Sequence, residues 1–574
     1  MKIKRSLFSF IILCTLFLCA CQQNEVDYTQ WIPDHDISEL NLDDDKITSP
    51  KYRVVPDESQ YTPVDEIAQK LLNHEDVSDL IYKNQIINNS CLDLSETISS
   101  KRTIIYVSSS EGNNLNDGRT PQTPKKSFDG MSEKAGIALL LKSGDTFNMK
   151  DMFYVGDNTV ICSYGEGPRP VLDFSKQINE PFIELRGYEH VWAVDLSRTD
   201  FNTAKSNREN YNFGQLYFDG ACNWNRYIVL ASEIMEFDFP GAVSAQKDNC
   251  WAVDWVHGVL YLYSEVDPNE HEIRVSEGKH GLNFKAVRNA IVSDLEIIGP
   301  GAYGCKIADC TDVSIQNCVF KNIGGALSAA DDVRYGNGVQ LTNVAQNVTI
   351  KNNVFDGVFN CGYSDRNLMV TDKQENVTIS GNIFAHCYCG IEQYDDNLCL
   401  VPIKNLSITD NLIFESCDVT NPYRTMFADI NGNLTTGVEE YRSYRNYNPY
   451  ERITSVLLSA MQIPSEFHVS GNVFWQTNRL LMCIDANYGY PEMKDNYFFS
   501  LVGSERDALF ATALYYKETA KEEFTFAERL QEDSNIEVLQ VTPAVNGAEV
   551  YNYSSASKES MDYFKAVVKK IVGE

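Results

Sequence analysis

The chain has 574 residues, of which 80 are acidic and 49 are Lys or Arg, so its formal net charge at pH 7 is −31. So acidic a protein presents no basic field that would attract nucleic acid, and nucleic-acid binding is excluded as an expected function. The negative net charge would also repel a polyanionic glycan on average, unless a local basic cleft or a bound cation attracted it more strongly.

The first twenty residues predict an export signal. Three basic residues, Lys2, Lys4 and Arg5, precede an apolar run from Leu7 to Leu18. That run is shorter than the ~20 apolar residues needed to span a bilayer, so we interpret it as cleavable. The ending Leu18-Cys19-Ala20-Cys21 resembles the lipobox of bacterial lipoproteins, which implies lipidation at Cys21. The expectation is therefore an exported lipoprotein anchored in the outer membrane, on its periplasmic or surface face; the alternative is an ordinary secretory signal.

The chain contains sixteen cysteines, and thirteen remain once Cys14, Cys19 and Cys21 are assigned to the signal and the anchor. An odd number cannot all pair within one chain. Because none shows a short Cys-x-x-Cys spacing or zinc-finger partners, we expect mainly buried small side chains, with one or two disulfides.

One pattern recurs five times in the middle of the chain: a strand, a polar turn and a second short strand. The copies are Val313–Phe320, Val348–Phe355, Val377–Phe384, Leu406–Ile413 and Phe467–Phe474. Their sixth positions are Cys318, Asn353, Asn382, Asn411 and Asn472, separated by 35, 29, 29 and 61 residues. Repetition at such a period indicates a solenoid, and the β-branched residues predict strands.

Parallel stacking of these copies explains the pattern. Neighbouring strands lie about 4.8 Å apart, so equivalent residues superpose. Apolar Val, Ile and Phe then fill a continuous interior. We predict that Asn353, Asn382 and Asn411 form a hydrogen-bonded column at the turn; the alternative is a set of unrelated, solvent-facing turn residues.

Here the chain resembles the right-handed parallel β-helix superfamily of pectate-lyase-like proteins, whose coils carry such asparagine ladders. The stretches Tyr106–Pro124 and Leu140–Phe147 are similar to the beginning of secreted β-helix glycosidases and lyases. The resemblance covers about residues 103–500 and implies an all-β, single-stranded parallel β-helix.

The remaining segments complete the expected domain organisation. Residues 1–20 form the signal peptide, 21–60 a lipid-anchored linker and 61–102 a short helical segment. Within the β-helix of residues 103–500, the aromatic-rich stretch from about 175 to 285 loses the coil rhythm and predicts an inserted small β-domain. Residues 501–574 are expected to form a helical C-terminal cap.

A third strand follows the repeat in each coil, and a glycine aligns the copies Gly304–Ala308, Gly338–Thr342, Gly362–Arg366 and Gly390–Tyr394. Alternation sends Cys305, Val339, Tyr363 and Ile391 inward. The other parity gives one outward column of Lys306, Gln340, Ser364 and Glu392. A second outward column consists of Ala308, Thr342, Arg366 and Tyr394. The sequence therefore predicts a continuous polar strip on a rigid sheet.

Carboxylates on and around this strip suggest glycoside hydrolysis. That reaction uses two carboxyl groups, about 5–5.5 Å apart for retention and 6.5–9.5 Å for inversion, and stacked coils supply both spacings. We expect Glu392 to act as nucleophile or acid, with Asp365 or Asp429 as partner, although Asp365 has inward parity and needs a bend to reach the cleft. The predicted substrate-binding residues are Lys306, Gln340, Arg366, Tyr394, Asp332, Arg334, Tyr335, His386 and Asp395.

Two other functions remain open. A polysaccharide lyase acting on uronic-acid glycans would use Lys306 or Arg366 as a base, and Ca²⁺ is the cofactor to expect in that case; otherwise we expect no cofactor and no metal. A non-catalytic glycan-binding solenoid is the third possibility. In each case the expected partner is a polysaccharide or oligosaccharide, with the membrane contacted through the lipid anchor and the protein monomeric.

Overall fold

The structure, a computed structural model, describes residues 102–201, 211–222, 227–230, 237–247, 249–327, 334–367, 373–395, 401, 403–414, 426–428, 434–436, 454–459, 465–475, 480–484, 492–500, 534–538, 541–543, 549–551 and 562. The predicted signal, the lipidation site Cys21, the linker and the helical segment before residue 102 lie outside these residues. They stay predictions.

The first part of the chain forms short strands that pair in parallel. They are β1 (Thr103–Val107), β2 (Ile137–Lys142), β3 (Thr146–Asn148), β4 (Phe153–Val155), β5 (Val160–Tyr164) and β6 (Val171–Asp173). Strand β2 lies between β1 and β5, while β3 pairs with β6. Coiling therefore begins near residue 103, well before the repeated motifs.

A mostly antiparallel excursion follows. Its elements are β7 (Ser175–Gln177), β8 (Ile183–Glu184), β9 (Val191–Asp195), β10 (Phe213–Phe218), β11 (Ala221–Cys222), β12 (Tyr227–Leu230), α1 (Phe239–Gln246), β13 (Trp251–Asp254), β14 (Val259–Tyr263), a 3₁₀ turn (Pro268–Glu270) and β15 (Ile273–Glu277). The rings of Tyr227 and Trp251 stack 3.9 Å apart in its core. Asp238 caps α1 by accepting a bond from the backbone N–H of Gly241. Among the described residues, no helix has the length and apolarity needed to cross a membrane.

The coils then resume and continue beyond Phe414. Their strands are β16 (Leu282–Lys285), β17 (Arg288–Ser293), β18 (Glu296–Ile298), β19 (Cys305–Gln316), β20 (Val319–Ile323), β21 (Ala326–Leu327), β22 (Arg334–Tyr335), β23 (Val339–Lys351), β24 (Val354–Val358), β25 (Cys361–Asn367), β26 (Lys373–Ser380), β27 (Ile383–Ala385), β28 (Cys389–Asp395), β29 (Lys404–Thr409) and β30 (Leu412–Phe414). Because β16 pairs in parallel with β4 and β19, the excursion ends before Leu282.

The last described strands are β31 (Met426–Ala428), β32 (Leu434–Thr436), β33 (Thr454–Ser459), β34 (Ser465–Ser470), β35 (Val473–Trp475), β36 (Leu480–Ile484), β37 (Glu492–Lys494), β38 (Asn496–Ser500), β39 (Ser534–Val538), β40 (Val541–Pro543) and β41 (Glu549–Tyr551). Strand β31 pairs with β12 of the excursion, and β32 pairs with β31. These two later strands complete a sheet of seven strands, of which the excursion supplies the other five. The stretches predicted to be helical in the C-terminal cap, Phe524–Gln531 and Met561–Val572, lie outside the described residues apart from Asp562.

Two long parallel sheets run along the stack of coils. One has sixteen strands and includes β19, β23, β25 and β28, while the other has ten and includes β20, β24 and β27. The interior between them is apolar, and the rings of Phe320, Phe355 and Phe384 stack at 4.8 and 4.9 Å between centroids. The predicted all-β, parallel β-helix fold is confirmed.

A polar turn links the two sheets in successive coils. The residue that opens this turn has a positive φ in each copy: Asn317, Asn352, Gly381, Asp410, Gly471 and Asp495. Asn, Asp and Gly adopt this left-handed conformation at low cost, which explains why the repeat uses only these three types there.

The next residue of each turn forms the predicted ladder. The Nδ2 groups of Asn353, Asn382 and Asn411 each donate to the Oδ1 of the following asparagine, at 2.9 to 3.0 Å. Asn472 continues the column to Asn496, and Cys318 begins it through its backbone N–H. The predicted stacking of Asn353, Asn382 and Asn411 is therefore confirmed, and the sequence analysis had missed Asn496.

Candidate functional site

The polar strip lies on β19, β23, β25 and β28, which belong to successive coils. In the parallel pairing, Lys306 aligns with Gln340, Gln340 with Ser364, and Ser364 with Glu392. The second column aligns Ala308, Thr342, Arg366 and Tyr394 in the same way. The predicted register is confirmed. We call the first column together with Arg366 the strip.

Glu392 is the best-anchored carboxylate of the strip. Its side chain is only 7% exposed. Ser364 donates its hydroxyl to Oε2 at 2.7 Å from the neighbouring coil. Arg366 donates to the same oxygen through Nε and Nη2 at 3.2 and 3.1 Å, and through Nη2 to Oε1 at 3.3 Å. Both carboxylate oxygens are therefore oriented by groups on one adjacent strand.

These contacts define the charge state of the pair. A guanidinium can only donate, so the Glu392 oxygens that face it must accept. The Glu392 carboxylate raises the pKa of Arg366 above its ordinary value, despite the opposing effect of burial. The arrangement therefore holds a negative charge at Glu392 and a positive charge at Arg366 on a shielded part of the surface.

Gln340 is fixed between these groups and Lys306. It is fully buried, and its Oε1 accepts a bond from Asn337 at 2.5 Å while its Nε2 donates to the carbonyl of Leu341 at 2.7 Å. Asn337 also accepts a bond from the backbone N–H of Cys361 in the next coil. Gln340 was predicted to bind substrate, but it is a buried structural member of the strip whose amide has both ends engaged by the protein.

An aromatic corner adjoins the strip, and sequence reasoning missed most of it. The rings of His280 and Tyr303 stack at 4.8 Å with an angle of 9°, and Tyr335 meets Tyr303 edge-on at 5.2 Å. Only Tyr335 was predicted. The available signal was positional, because His280 and Tyr303 directly precede Gly281 and Gly304, the glycines that begin successive coils.

The corner is electrostatically coupled to the strip. Burial raises the pKa of Tyr303, with Arg366 and Glu392 acting in opposite directions, so the phenol is neutral at physiological pH. Burial lowers the pKa of His280 to about 4, helped by the nearby charge of Lys306, so its imidazole is neutral as well. The corner therefore presents uncharged aromatic faces beside a charged pair.

Lys306 lies at the end of the strip nearest this corner. Its ammonium group is half-buried, and burial together with the charge of Lys285 lowers its pKa. Asn283 and Lys285 on β16 align with Lys306 and Ala308 on β19. Lys285 is thus a diagonal neighbour of Lys306 on the adjacent coil.

Residues 257–367 match the family described as "Right handed beta helix region". The described coils of this chain form a parallel β-helix, and residues 257–367 carry the similarity to that family. No curated protein matches the chain.

Solved structures similar to this β-helix include XylC in complex with xylose, which has 11% identity, a TM-score of 0.38 and coverage of 76% of this chain and 82% of the other. A structure named glycoside hydrolase has 11% identity, a TM-score of 0.38 and coverage of 69% and 93%. The GH136 lacto-N-biosidase from Eubacterium ramulus has 10% identity, a TM-score of 0.25 and coverage of 70% and 64%.

Asp365 does not reach the strip. Its residue is fully buried, and the hydroxyl of Tyr363 donates to its Oδ2 at 3.2 Å. Its neighbours in register, Leu341 and Gln393, are also fully buried. The strand therefore keeps the inward parity without the bend that a catalytic Asp365 required, and Asp365 is not a suitable partner for Glu392.

Arg334 was predicted to bind substrate, but it is a buried structural residue with 4% exposure. It donates from Nε to the carbonyl of Gly325 at 2.5 Å and from Nη2 to the carbonyl of Gly214 at 2.7 Å. Its guanidinium also lies over the ring of Phe359 at 4.3 Å. Arg334 therefore ties β10 of the excursion to a turn of the β-helix, a role that its loop position did not reveal.

His386 belongs to the other long sheet. Its Nδ1 lies 2.7 Å from Oδ1 of the buried Asp356 on β24. The structure therefore does not place His386 with Glu392, contrary to the prediction, because the turn after β27 directs it towards the ten-stranded sheet.

The other predicted site residues fall outside what the structure describes. Asp332 and Asp429 lie between described segments, and for Tyr394 and Asp395 the structure describes the backbone of β28 alone. Their predicted roles stay predictions. Within the described part of the chain, no three His, Cys, Asp or Glu side chains cluster in a way that could hold a metal ion.

Proposed function

We propose that this chain is a glycoside hydrolase that cleaves a polysaccharide or oligosaccharide on the strip, with Glu392 as the essential ionised carboxylate. The observation that carries this proposal is the orientation of both Glu392 oxygens by Arg366 and Ser364 on a rigid parallel sheet. Hydrolysis of a glycosidic bond passes through a positively charged, oxocarbenium-like transition state. A shielded carboxylate beside the sugar stabilises that charge strongly because little water screens it.

Glu392 fits the role of nucleophile or charge stabiliser better than that of general acid. A general acid must hold a proton, whereas the four donated bonds at Glu392 favour its deprotonated form. The proton donor has to be a second carboxyl group, and Asp365 is excluded by its burial in the interior. We therefore assign that role to Asp429, which directly follows β31.

The aromatic corner supplies a surface for sugar rings. Tyr303 and Tyr335 are partly exposed and present neutral rings at an angle of 77° to each other. Aromatic faces bind the apolar C–H faces of pyranose rings, while a hydroxyl at the ring edge can donate to sugar oxygens. Their position beside Arg366 and Glu392 orients a glycan along the strip.

One observation favours a polysaccharide lyase as a second candidate. A lyase needs a base, and the lowered pKa of Lys306 leaves more of that amine unprotonated, and so able to accept a proton, than in an ordinary lysine. Arg366 is unsuited to the role because its pKa is raised by Glu392. The two reactions leave different products, so one assay separates them.

The test is a screen of the full chain against complex glycans, with parallel detection of new reducing ends and of the absorbance of unsaturated uronates. We expect reducing ends without that absorbance. Glu392→Gln keeps the side-chain shape and removes the charge, so it should lower turnover by at least about 10³-fold, the scale on which loss of an oriented charge at a reaction centre is felt.

Asp356→Asn is the matched control, since Asp356 is also a buried carboxylate with a side-chain partner, which in its case is His386 in the turn after β27. It should keep full turnover at unchanged folding. Equal losses in both variants would mean that Glu392 is only structural. Unsaturated products would contradict hydrolysis and support the lyase reaction. Glycan binding without any bond cleavage would indicate a binding protein.

A further inference from the structure

Lys306 is unusual among the cations of this acidic chain. Several described basic side chains have a carboxylate partner, such as Lys142 with Glu111, Lys279 with Asp151 and Lys404 with Glu375. Lys306 is half-buried, yet no carboxylate of the described residues influences its pKa; only burial and Lys285 do so, and both lower it. A charge that has lost part of its hydration without gaining a counter-charge is costly to the folded protein.

Within the part of the chain that the structure describes, the groups around Lys306 carry no negative charge. His280 is held neutral by burial. Asn283, in register with Lys306 on β16, is uncharged, and Lys285 adds a second positive charge. On the other side, Gln340 has both ends of its amide engaged. The area is thus locally positive on a chain with a net charge of −31.

We propose that Lys306 and Lys285, next to the stacked rings of His280 and Tyr303, form a subsite for an anionic group of the glycan, a sugar carboxylate or sulfate. This inference rests on the proposed function for its substrate, and it adds that the substrate is an acidic glycan. An oxyanion would supply the missing counter-charge to Lys306, while the sugar ring that carries it packs against Tyr303.

The subsite is separate from the point of cleavage. Lys306 and Glu392 are three strand spacings apart along the strip, or about 14 Å. The acidic sugar is therefore a different unit from the one whose bond is broken. An acidic polymer, repelled by the chain as a whole, would be attracted at this place.

The experiment compares binding of acidic polysaccharides with binding of their neutralised forms by the full chain. The probes are pectic, glucuronate-containing and sulfated glycans, each paired with its carboxyl-reduced or desulfated counterpart. We expect at least one charged glycan to bind about tenfold or more tightly than its neutral counterpart, the scale of one charge-assisted hydrogen bond. Which treatment abolishes the preference identifies the group as carboxylate or sulfate.

Variants assign the effect to the subsite. Lys306→Gln should remove the preference for the charged form, while Lys306→Arg should retain that preference. Lys351→Gln is the matched control. Lys351 is an exposed lysine at the end of β23, the strand that pairs with the Lys306 strand β19, and it lies eleven residues after Gln340, the register partner of Lys306. It removes the same charge and should change nothing.

Failure of this inference can be told apart from failure of the proposed function. Cleavage of an acidic glycan that depends on Glu392 but not on Lys306 would overturn the subsite and keep the hydrolase. Binding of an acidic glycan that depends on Lys306 without any cleavage would support the subsite and overturn the hydrolase. The absence of any charge preference, or of any glycan binding, would overturn the subsite.

Discussion

The turn between the two long sheets and the strip are built on the same coils, yet their sequences behave in opposite ways. At the turn one residue type recurs, and Asn353, Asn382, Asn411, Asn472 and Asn496 occupy equivalent buried places. Along the strip each coil contributes a different side chain: Lys306, Gln340, Ser364 and then Glu392. Repetition marks the positions that hold coils together, and loss of repetition marks the positions that are available for chemistry.

The difference has an energetic basis. An asparagine in a column of identical residues donates to the coil on one side and accepts from the coil on the other, so every copy satisfies its neighbours. A lysine or glutamate repeated at 4.8 Å spacing would face like charges, which are destabilising at that distance. A functional column must therefore vary.

The largest loss of stability is expected for Asn382→Ala. The Asn382 side chain donates to the carbonyl of Ile350 and to Asn411, and it accepts from the backbone and side chain of Asn353. Alanine leaves several of these buried groups unsatisfied, so we expect the free energy of unfolding to fall by about 4 kcal/mol. Urea denaturation would measure this change.

Asn376→Gly is the control, since Asn376 belongs to a second, exposed column between Asn347 and Asn405. Glycine suits its φ of 57°, so the variant should lose about 1 kcal/mol or less. Similar losses for both variants would show that burial does not distinguish the two columns.

A second prediction concerns the contact between the excursion and the coils. Arg334→Met keeps most of the side-chain volume but leaves the carbonyls of Gly214 and Gly325 without their donor. Removal of a buried cation offsets part of this cost, because burial already lowers the pKa of Arg334 to about 9. We expect the stability of this contact to fall by about 3 kcal/mol. Limited proteolysis near Gly214 should become faster, while hydrogen exchange at the asparagine ladder stays slow. An unchanged rate of proteolysis would contradict the structural role of Arg334.

The smallest expected effect is the pH response of the aromatic corner. The pKa of His280 falls from 6.5 when unfolded to about 4 when folded. Stabilisation by its neutral form is therefore complete above pH 6.5 and is lost as the pH falls towards 4. Between pH 7 and pH 5 this costs about 2 kcal/mol. His280→Phe preserves the stacking on Tyr303 and should lose correspondingly less stability over this range; parallel pH profiles of the melting temperature would contradict the assignment.

The sequence analysis succeeded where residues recur. The spacing of Asn353, Asn382 and Asn411 predicted the ladder, and the glycines before the first strands predicted the register that joins Ser364 to Glu392. Both inferences follow from the strand geometry alone, since one register slip would turn every side chain to the opposite face.

It failed where the environment of a residue is created by distant parts of the chain. Arg334 lies in the two-residue strand β22, which the sequence pattern does not predict, and only the fold shows that β10 covers it. Tyr303 lies just outside the aligned strand, so its alternation could not be used, and its stacking on His280 depends on the preceding coil. The inward position of Asp365 was predicted correctly, but the bend that would have made it catalytic does not exist.

The ladder also has an evolutionary consequence. Its backbone bonds span 35, 29, 29, 61 and 24 residues of sequence, yet their lengths stay between 2.9 and 3.1 Å. The step from one coil to the next is therefore independent of how much chain a coil contains. The segments that connect the coils, such as the one that contains β31 and β32, can therefore be lengthened, shortened or exchanged without disturbing the stacked coils. The scaffold can thus acquire new rim loops, and with them new substrates, while its backbone geometry stays constant.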